Sequence, residues 1–439
     1  MTPEQVTVAR RVAGEVAERL AAEQSRRDRA GLGRLRAEGR EALAEQLVRE
    51  ALDAFSAERL THAQEPLSVE DEDEVTRTVL DRVCGAFGFS RWLEDPAVEE
   101  IVFNRFDNVW VYWSDGRRER VEPIAESATE LVEHLRMLAA TTGRTERRFD
   151  SGQPRLNLSL ADGSRLYAVM DVSGDSPAGA IRRSRYPDMD LDLLVELGTI
   201  DKALYELLAA MVTVGMRVII SGEVSAGKTG LMRAMLHRLD APERVVLIED
   251  TAEADLAAFR GRHANTLELE TREANIEGQG AITQRDLVRD ALRLHPDWLI
   301  VSECRGAEAL DMLMAMSHGQ RSLSTLHAKR AAEVPDKLAT YCAIGPENTT
   351  PATTHLLVSQ AVDFIVHLRQ LRDGRRAVVE VLEVEGFEEG RVRLNTVFEP
   401  GPDGRARPAG QHITEARLDE LAAVGFDHTL LLNREGWWA

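Results

Sequence analysis

An uninterrupted Gly-x-x-x-x-Gly-Lys-Thr pattern at residues 222–229 constrains this chain more than any other feature. The strand-like run 217–221 precedes the pattern, and a segment with helical periodicity, 231–239, follows it. When a glycine-rich turn joins a strand to a helix in this way, the backbone N–H groups of the turn can surround a phosphate, and the helix dipole favours its negative charge. The sequence therefore predicts a nucleotide-binding loop in an α/β fold. We expect the phosphates to be bound by Gly222, Glu223, Val224, Ser225, Ala226, Gly227, Lys228, Thr229 and Gly230.

Two side chains of this loop bring a charge and a metal ligand to the phosphates. We expect the Lys228 ammonium to neutralise the β- and γ-phosphates and the Thr229 hydroxyl to bind Mg²⁺. Lysine occurs in the chain only at positions 202, 228, 329 and 337, whereas arginine is abundant. The lysine inside the pattern therefore stands out as a candidate for chemistry.

Hydrolysis also needs an acid that orients water, and two strand-like segments downstream end in one. Glu249 ends the run 244–249, and Glu303 ends the run 297–303. His327 ends a third such run, where an imidazole can sense the γ-phosphate. A single residue of this kind at a strand end can equally be a solvated loop residue. Because parallel strands present their carboxyl ends at one edge of a sheet, we expect all three beside the loop.

The alternation of patterns along the chain predicts its organisation. The first segment shows helical spacing and ends in an acidic run at 70–74, and the second has hairpin-like strands around one helix. A helix is also expected over 192–212, and beyond it strand-like segments alternate with helical ones. We predict a P-loop α/β domain with a mostly parallel sheet, preceded by a smaller α+β domain and a helical extension. The expected divisions are a helical extension at 1–75, an α+β domain at 76–186, a linker at 187–195, the α/β domain at 196–400 and a tail at 401–439.

Bulk properties favour a cytoplasmic protein. The formal net charge of −20 argues against a surface that binds nucleic acid throughout, and we find no strip of alternating basic and aromatic residues. Three cysteines, Cys84, Cys304 and Cys342, are far apart and show no metal-ligand spacing. The N-terminal twenty residues are interrupted by charges, unlike a signal peptide, and the longest apolar run, 207–216, is too short to span a bilayer.

Several motifs in order resemble one family. The loop is followed by Ile-Glu-Asp-Thr-Ala-Glu at 248–253, a long acidic and apolar stretch at 267–316, and Ser-Leu-Ser-Thr-Leu-His-Ala at 322–328. Together they resemble the ATPases of type II and type IV secretion systems, with the greatest similarity to the CpaF-type ATPases of tight-adherence pili. Further similar segments lie on both sides, so the resemblance covers about residues 85–390.

The resemblance implies a role for each candidate residue. Lys228 and Thr229 match the Walker A motif, Glu303 matches the Walker B glutamate that activates water, and His327 matches the His box. The family's Asp box is matched by Glu249, Asp250 and Glu253. We therefore expect Glu303, Glu249 and His327 to be catalytic, and Thr229, Asp250 and Glu253 to hold the metal ion.

The resemblance also implies how the protein works. It implies a homohexameric ring at the cytoplasmic face of the inner membrane, in which MgATP turnover moves an N-terminal domain against a RecA-like motor domain. An inner-membrane platform protein is the expected partner, pilus assembly or protein secretion is the expected task, and no direct nucleic-acid partner is expected. The linker at 187–195 is the expected hinge.

Arginines from a neighbouring subunit often complete such sites. Arg285, Arg289 and Arg293 recur every four residues after a Thr283–Asp286 capping pair, and Arg182–Arg183 precede the linker. Each can equally form ion pairs with the many acids of the chain. We hypothesise that at least one is an arginine finger, with Arg293 as the catalytic candidate.

Other functions remain open. A RecA-like motor that acts on DNA would be stimulated by DNA. An assembly scaffold that binds ATP without turnover would release no phosphate. A small-molecule kinase is disfavoured because no acceptor pocket is recognisable and the downstream acids match motor motifs.

Overall fold

The computed structural model describes residues 2–29, 37–62, 64–83, 85, 87–142, 148–160, 162–183, 189–251, 256, 263–272, 274 and 279–438. The chain divides into two compact units, residues 1–185 and 186–439. Among the residues that the structure describes, no helix combines the length and apolar character that crossing a bilayer requires.

Three helices begin the first unit and share an apolar core. Regular apolar spacing brings Val12 and Val16 against Val48 and Val79, and all four are buried. The acidic run at 70–74 begins in the first turn of the third helix, where the negative charges of Glu70, Asp71 and Glu72 are favourable to the helix dipole. The helices are α1 Pro3–Arg29, α2 Ala37–Thr61 and α3 Val69–Val83.

The rest of the first unit is an antiparallel sheet of six strands in the order β3-β2-β1-β6-β5-β4. Leu131 and Leu135 of the helix α5 are buried in one core with Ile101 and Phe103 of β1, so α5 covers this face. The elements are α4 Ser90–Leu93, β1 Val98–Arg105, β2 Asn108–Trp113, β3 Arg118–Val121, α5 Ala128–Thr142, β4 Arg155–Ser159, β5 Arg165–Val169 and β6 Ala178–Arg182.

The second unit contains a nine-stranded sheet in the order β15-β14-β13-β12-β7-β11-β10-β8-β9. The six strands from β12 to β9 in this order are parallel, and the other pairs are antiparallel. The strands are β7 Val218–Gly222, β8 Val245–Glu249, β9 Thr266–Glu270, β10 Trp298–Cys304, β11 Arg321–His327, β12 Phe364–Gln370, β13 Arg376–Glu388, β14 Arg391–Pro400 and β15 Ala406–Pro408.

Helices cover both faces of this sheet, because the central strands are apolar on both sides. β7 is buried along its whole length, and apolar clusters pack against each of its faces. The helices are α6 Leu191–Glu196, α7 Lys202–Val214, α8 Lys228–Leu236, α9 Gln284–Ala291, α10 Glu308–Ser317, α11 Val334–Ile344, α12 Pro351–Ala361 and α13 Glu415–Ala423. The predicted fold class is confirmed: a RecA-like P-loop α/β domain follows an α+β domain and a helical extension.

The helix predicted over 192–212 is in fact two helices, α6 and α7. Gly198 adopts a left-handed backbone with φ of 67°, which ends α6. The Asp201 carboxylate then accepts a hydrogen bond from the Leu204 N–H at 2.8 Å and caps the start of α7. The continuous apolar pattern hid this break, and α6 lies partly within residues 187–195.

The residues after 400 are part of the second unit. β15 extends the sheet, and Leu421, Phe426 and Leu430 join the apolar core that α7 and α8 also line. Arg417 of α13 donates to the fully buried Glu383 at 2.9 Å. This C-terminal segment therefore contributes to the core of the unit.

Candidate active site

The predicted phosphate loop connects β7 to α8 at the carboxyl edge of the parallel strands. Gly227, with φ of 97°, is the N-cap of α8 and has no side chain with which to cap the helix. Ser225, with φ of 62°, also has a left-handed backbone, which only a few per cent of non-glycine residues adopt. The loop therefore turns sharply and directs the amino end of α8 toward its concave side, which is the arrangement that binds an anion.

Glycine at position 222 is required by close backbone approach. A Cβ atom there would lie 2.5 Å from the Leu368 carbonyl oxygen on β12, which is too close for any side chain. β12 and β7 are parallel neighbours, and Leu368 is the register partner of Gly222. The loop therefore begins at a point where the backbones of β7 and β12 are in close contact.

The Lys228 side chain is buried, and polar groups surround its ammonium. Its ammonium donates to the carbonyl oxygens of Glu223 at 2.8 Å and Gly222 at 3.3 Å. Its Nζ also lies 3.1 Å from Nδ1 of His327. The ammonium is therefore held at the mouth of the loop.

His327 continues this chain of contacts to Glu303. Its Nε2 lies 3.0 Å from Oε1 of Glu303. Because an ammonium can only donate, Nδ1 of His327 must accept, which leaves the ring proton on Nε2 for donation to the carboxylate. The order Lys228, His327, Glu303 is thus a directed hydrogen-bonded chain from the loop to the acid.

Strand register brings these three residues together. His327 of β11 is the register partner of Gly222 in β7, and the Ala328 N–H donates to the Gly222 carbonyl at 3.3 Å. Glu303 lies on the next strand, β10, where the Gln284 side chain donates to its carbonyl oxygen at 2.8 Å. The ends of β11 and β10 that carry His327 and Glu303 therefore lie beside the loop.

The acidic segment after β8 is arranged differently. Glu249 is buried at the end of β8, and its carbonyl oxygen accepts from the Thr271 N–H at 3.0 Å. The Asp250 carboxylate forms an ion pair with Arg305 and accepts from the Thr271 hydroxyl at 3.0 Å. Glu253 lies outside the described residues. Among the residues that are described, no group of three or more His, Cys, Asp or Glu side chains has the geometry of a metal site.

Of the arginine candidates, two form ion pairs within the chain, and the others lie away from the loop or in the first unit. The predicted capping box of Thr283 and Asp286 is confirmed. Arg285 pairs with Asp311 at 2.6 Å, and Arg289 pairs with the same carboxylate at 2.8 Å. Both contacts match the ion-pair alternative.

Arg293 lies outside the helix on which its spacing suggested it. α9 ends at Ala291, and the exposed Arg293 leads toward the start of β10, at the opposite edge of the sheet from the loop. Arg182 and Arg183 are in the other unit, at the end of β6, where the Arg183 N–H donates to the Glu99 carbonyl at 2.9 Å.

Sequence reasoning missed other residues that contact the loop or β7. Arg376 of β13 donates through Nε to the Ser225 carbonyl at 2.9 Å. His367 of β12 lies 2.9 Å from the Ser221 hydroxyl through Nδ1, and burial lowers the pKa of this histidine to about 4. Neither residue belongs to a local motif. The pairing of β12 with β7 positions His367, and the pairing of β13 with β12 positions Arg376.

The fold and this edge place the chain in the P-loop class of α/β proteins. Residues 99–372 match the family described as Type II/IV secretion system protein. A putative conjugal transfer protein of Mycobacterium tuberculosis (strain ATCC 25618 / H37Rv) is 33% identical over 367 residues, which cover 82% of this chain and 96% of that one. The chain therefore belongs to the type II/IV secretion system protein family.

Other relatives have secretion and transfer names. The type IV secretion system protein PtlH of Bordetella pertussis is 28% identical over 325 residues, covering 67% of this chain and 93% of that one. The probable conjugal transfer protein TrbB of Sinorhizobium fredii is 27% identical over 321 residues, covering 72% and 90%. Among solved structures, the ATPase DotB of Legionella pneumophila has a TM-score of 0.48 at 18% identity, covering 68% of this chain and 79% of that one.

Proposed function

We propose that the chain is an ATPase that drives pilus assembly or protein secretion. The observation that carries this proposal is the hydrogen-bonded series of Lys228, His327 and Glu303, which joins the loop to a carboxylate. The three groups supply a cation for the terminal phosphates, a hydrogen-bonding ring and an acceptor for the proton of water. The cation and the water-orienting acceptor are two of the parts on which phosphoryl transfer to water depends.

In the proposed reaction, the loop binds the phosphates and Glu303 orients a water molecule toward the γ-phosphorus. The carboxylate accepts a proton as the water oxygen forms a bond to phosphorus and the bond to the β,γ-bridging oxygen breaks, giving ADP and phosphate. The Lys228 ammonium balances charge on the oxygens. His327 donates to the Glu303 carboxylate through Nε2 and thereby fixes its orientation.

The donor chemistry at the start of α8 fits a magnesium ion. Mg²⁺ prefers hard oxygen ligands and is usually held by one or two protein groups together with phosphate. Thr229, which follows Lys228 at the amino end of α8, supplies such an oxygen. A bound ion would neutralise charge on the β- and γ-phosphates. Of the other predicted ligands, Asp250 is held by Arg305 and Thr271.

We further propose that the protein works as a homohexameric ring at the cytoplasmic face of the inner membrane. The family membership supports this proposal, and a platform protein of the membrane is the proposed partner. Residues 1–75 are the proposed docking segment, and α1 and α2 carry many charged side chains. A deletion of these residues that still allowed recruitment to membranes would contradict the docking role.

Ring assembly gives a direct prediction. We expect Glu303→Gln, which retains ATP, to sediment as a hexamer when MgATP is present, because bound triphosphate at a subunit interface joins neighbours. Analytical ultracentrifugation with and without nucleotide measures this. The same variant carrying Lys228→Ala is the matched control and should not respond to nucleotide. A monomer under all conditions would contradict the ring.

A second candidate, a motor that acts on single-stranded DNA, is favoured by one structural observation. On the sheet face opposite α5, register aligns Arg120, Trp110, Val102, Ala180 and Tyr167 in one row. Trp110 and Tyr167 are 36% and 46% exposed, and the intervening side chains are small. Three strand spacings separate the two rings by about 14 Å. Exposed rings beside arginine can stack bases.

DNA stimulation separates the two candidates. If the chain acts on DNA, single-stranded DNA should raise the ATPase rate severalfold and Trp110→Ala should remove this stimulation without lowering the basal rate. If the chain is a secretion or pilus motor, DNA should leave the ATPase rates of the wild-type protein and of Trp110→Ala unchanged. We favour the second outcome, since the net charge of −20 opposes association with phosphate backbones.

A further inference from the structure

The hairpin of β12 and β13 forms one wall of the phosphate loop. Leu368 of β12 approaches Gly222 as described above. A Cβ atom at Gly227 would lie 3.3 Å from Cδ and 3.7 Å from Cβ of Arg376. The stem of Arg376 therefore lies along the end of the loop, at the point where α8 begins.

The guanidinium of Arg376 contacts a loop residue that has an unfavourable backbone conformation. Its Nε donates to the Ser225 carbonyl at 2.9 Å, and Ser225 is the loop residue other than glycine with a positive φ, 62°. For an L-residue this conformation is unfavourable and persists only when its surroundings stabilise it. The guanidinium supplies such a stabilising contact from outside the loop.

Fixing this carbonyl also fixes the amide on the other side of the same peptide. In a trans peptide the C=O and N–H bonds point in opposite directions. Because the Ser225 carbonyl points to Arg376, the Ala226 N–H points into the loop, where it lies 3.3 Å from the Glu223 carbonyl. Lys228 donates to that same carbonyl. One contact outside the loop thus orients a donor inside it.

The hairpin is well anchored for this task. Arg376 is the register partner of Gln370, and β12 is parallel to β7. The Val378 N–H donates to the Thr199 carbonyl at 2.9 Å, which ties β13 to the segment before α7. The neighbouring Arg375 turns the other way and pairs with Asp373 at 2.6 Å. Adjacent arginines therefore have separate partners.

We propose that Arg376 is a positioning residue of the nucleotide site, which holds the Ser225 peptide so that the Ala226 amide faces the phosphates. This inference rests on the proposed nucleotide binding by the loop. Since ATP and ADP both place their β-phosphate in such a loop, Arg376 contributes equally to both complexes. Its loss therefore weakens binding uniformly and leaves the chemical step intact.

Arg376→Met tests the proposal, because methionine keeps the apolar stem beside Gly227 and removes the donor. We expect KM for MgATP and Kd for MgADP each to rise about tenfold, with kcat within about threefold of the wild-type value. Arg376→Lys, which retains a donor, should recover part of the affinity. Arg375→Ala, the adjacent control, should leave all three constants unchanged.

Calorimetry with MgADP distinguishes this inference from the proposed ATPase activity, since it needs no turnover. If the wild-type protein binds MgADP and folded Arg376→Met binds it within about twofold as tightly, Arg376 has no positioning role. An unchanged KM with a lowered kcat would also overturn the proposal. If Arg376→Met does not fold, Arg376→Leu decides, because leucine also keeps an apolar stem and lacks a donor. Lowered affinity with an unchanged melting temperature supports the role, and wild-type affinity overturns it.

Discussion

Lys228→Ala should abolish MgATP binding and, with it, all hydrolysis. The ammonium is buried and donates to two carbonyl oxygens of its own loop. A triphosphate is a far stronger acceptor, and charge-assisted hydrogen bonds contribute about 1.5–3 kcal/mol each. Losing the charge together with two such bonds should weaken binding at least about hundredfold. Isothermal titration calorimetry measures this directly.

Lys202→Ala provides a matched control for that experiment. Lys202 is the first residue of α7 just as Lys228 is the first residue of α8, but it is exposed and follows an aspartate cap. Its substitution should leave nucleotide affinity unchanged. If both lysine variants bound MgATP as tightly as the wild-type protein, the loop would not be the nucleotide site.

Glu303→Gln should bind MgATP normally and lose turnover. The amide oxygen of glutamine can still accept the hydrogen bond that His327 Nε2 donates to Glu303, so the local geometry should persist. The amide cannot accept a proton from water. General base catalysis contributes about 10²–10⁴-fold, so kcat should fall at least about hundredfold while Kd changes less than about threefold. Single-turnover phosphate release measures the chemical step separately from product release.

A carboxylate outside the site controls for charge. Glu347 pairs with Arg285 near the surface, where an ion pair contributes little. Glu347→Gln should therefore keep the wild-type kcat. A Glu303→Gln protein that released phosphate at more than about a tenth of the wild-type rate would assign the base to another residue.

Local signals explain why much of the fold and the loop could be predicted from the sequence. Each of the four strands predicted around the site needed only a short apolar run, and the loop residues are contiguous. Glu303 and His327 each end such a run, and because parallel strands share a carboxyl edge, both are expected beside the loop. Their meeting beside Lys228 followed from that rule.

Contacts set by register could not be predicted from local patterns. The directed chain from Lys228 to Glu303 depends on His327 pairing with Gly222, which the sequence does not state. Arg376 lies 151 residues from Ser225 along the chain. The aromatic row of Trp110 and Tyr167 is spread over separate strands, so no basic and aromatic strip was visible in the sequence. Non-local packing produced all three.

Local conformation also overrode pattern at two places. The apolar spacing of 192–212 continues across Gly198, but the left-handed glycine and the Asp201 cap divide it into two helices. The four-residue spacing of arginines continues to Arg293, but α9 ends at Ala291. The next residues lead through His295, with φ of 51°, into Pro296. The residue that precedes a proline disfavours the helical conformation, so the helix could not continue through His295.

Phosphate release from MgATP by the purified wild-type protein tests the central claim most directly. We predict saturable release of phosphate that Lys228→Ala abolishes and Glu303→Gln reduces to a small fraction. A wild-type protein that binds MgATP in calorimetry but releases no more phosphate than Lys228→Ala would contradict the claim. Such a protein would be a nucleotide-gated scaffold and not a motor.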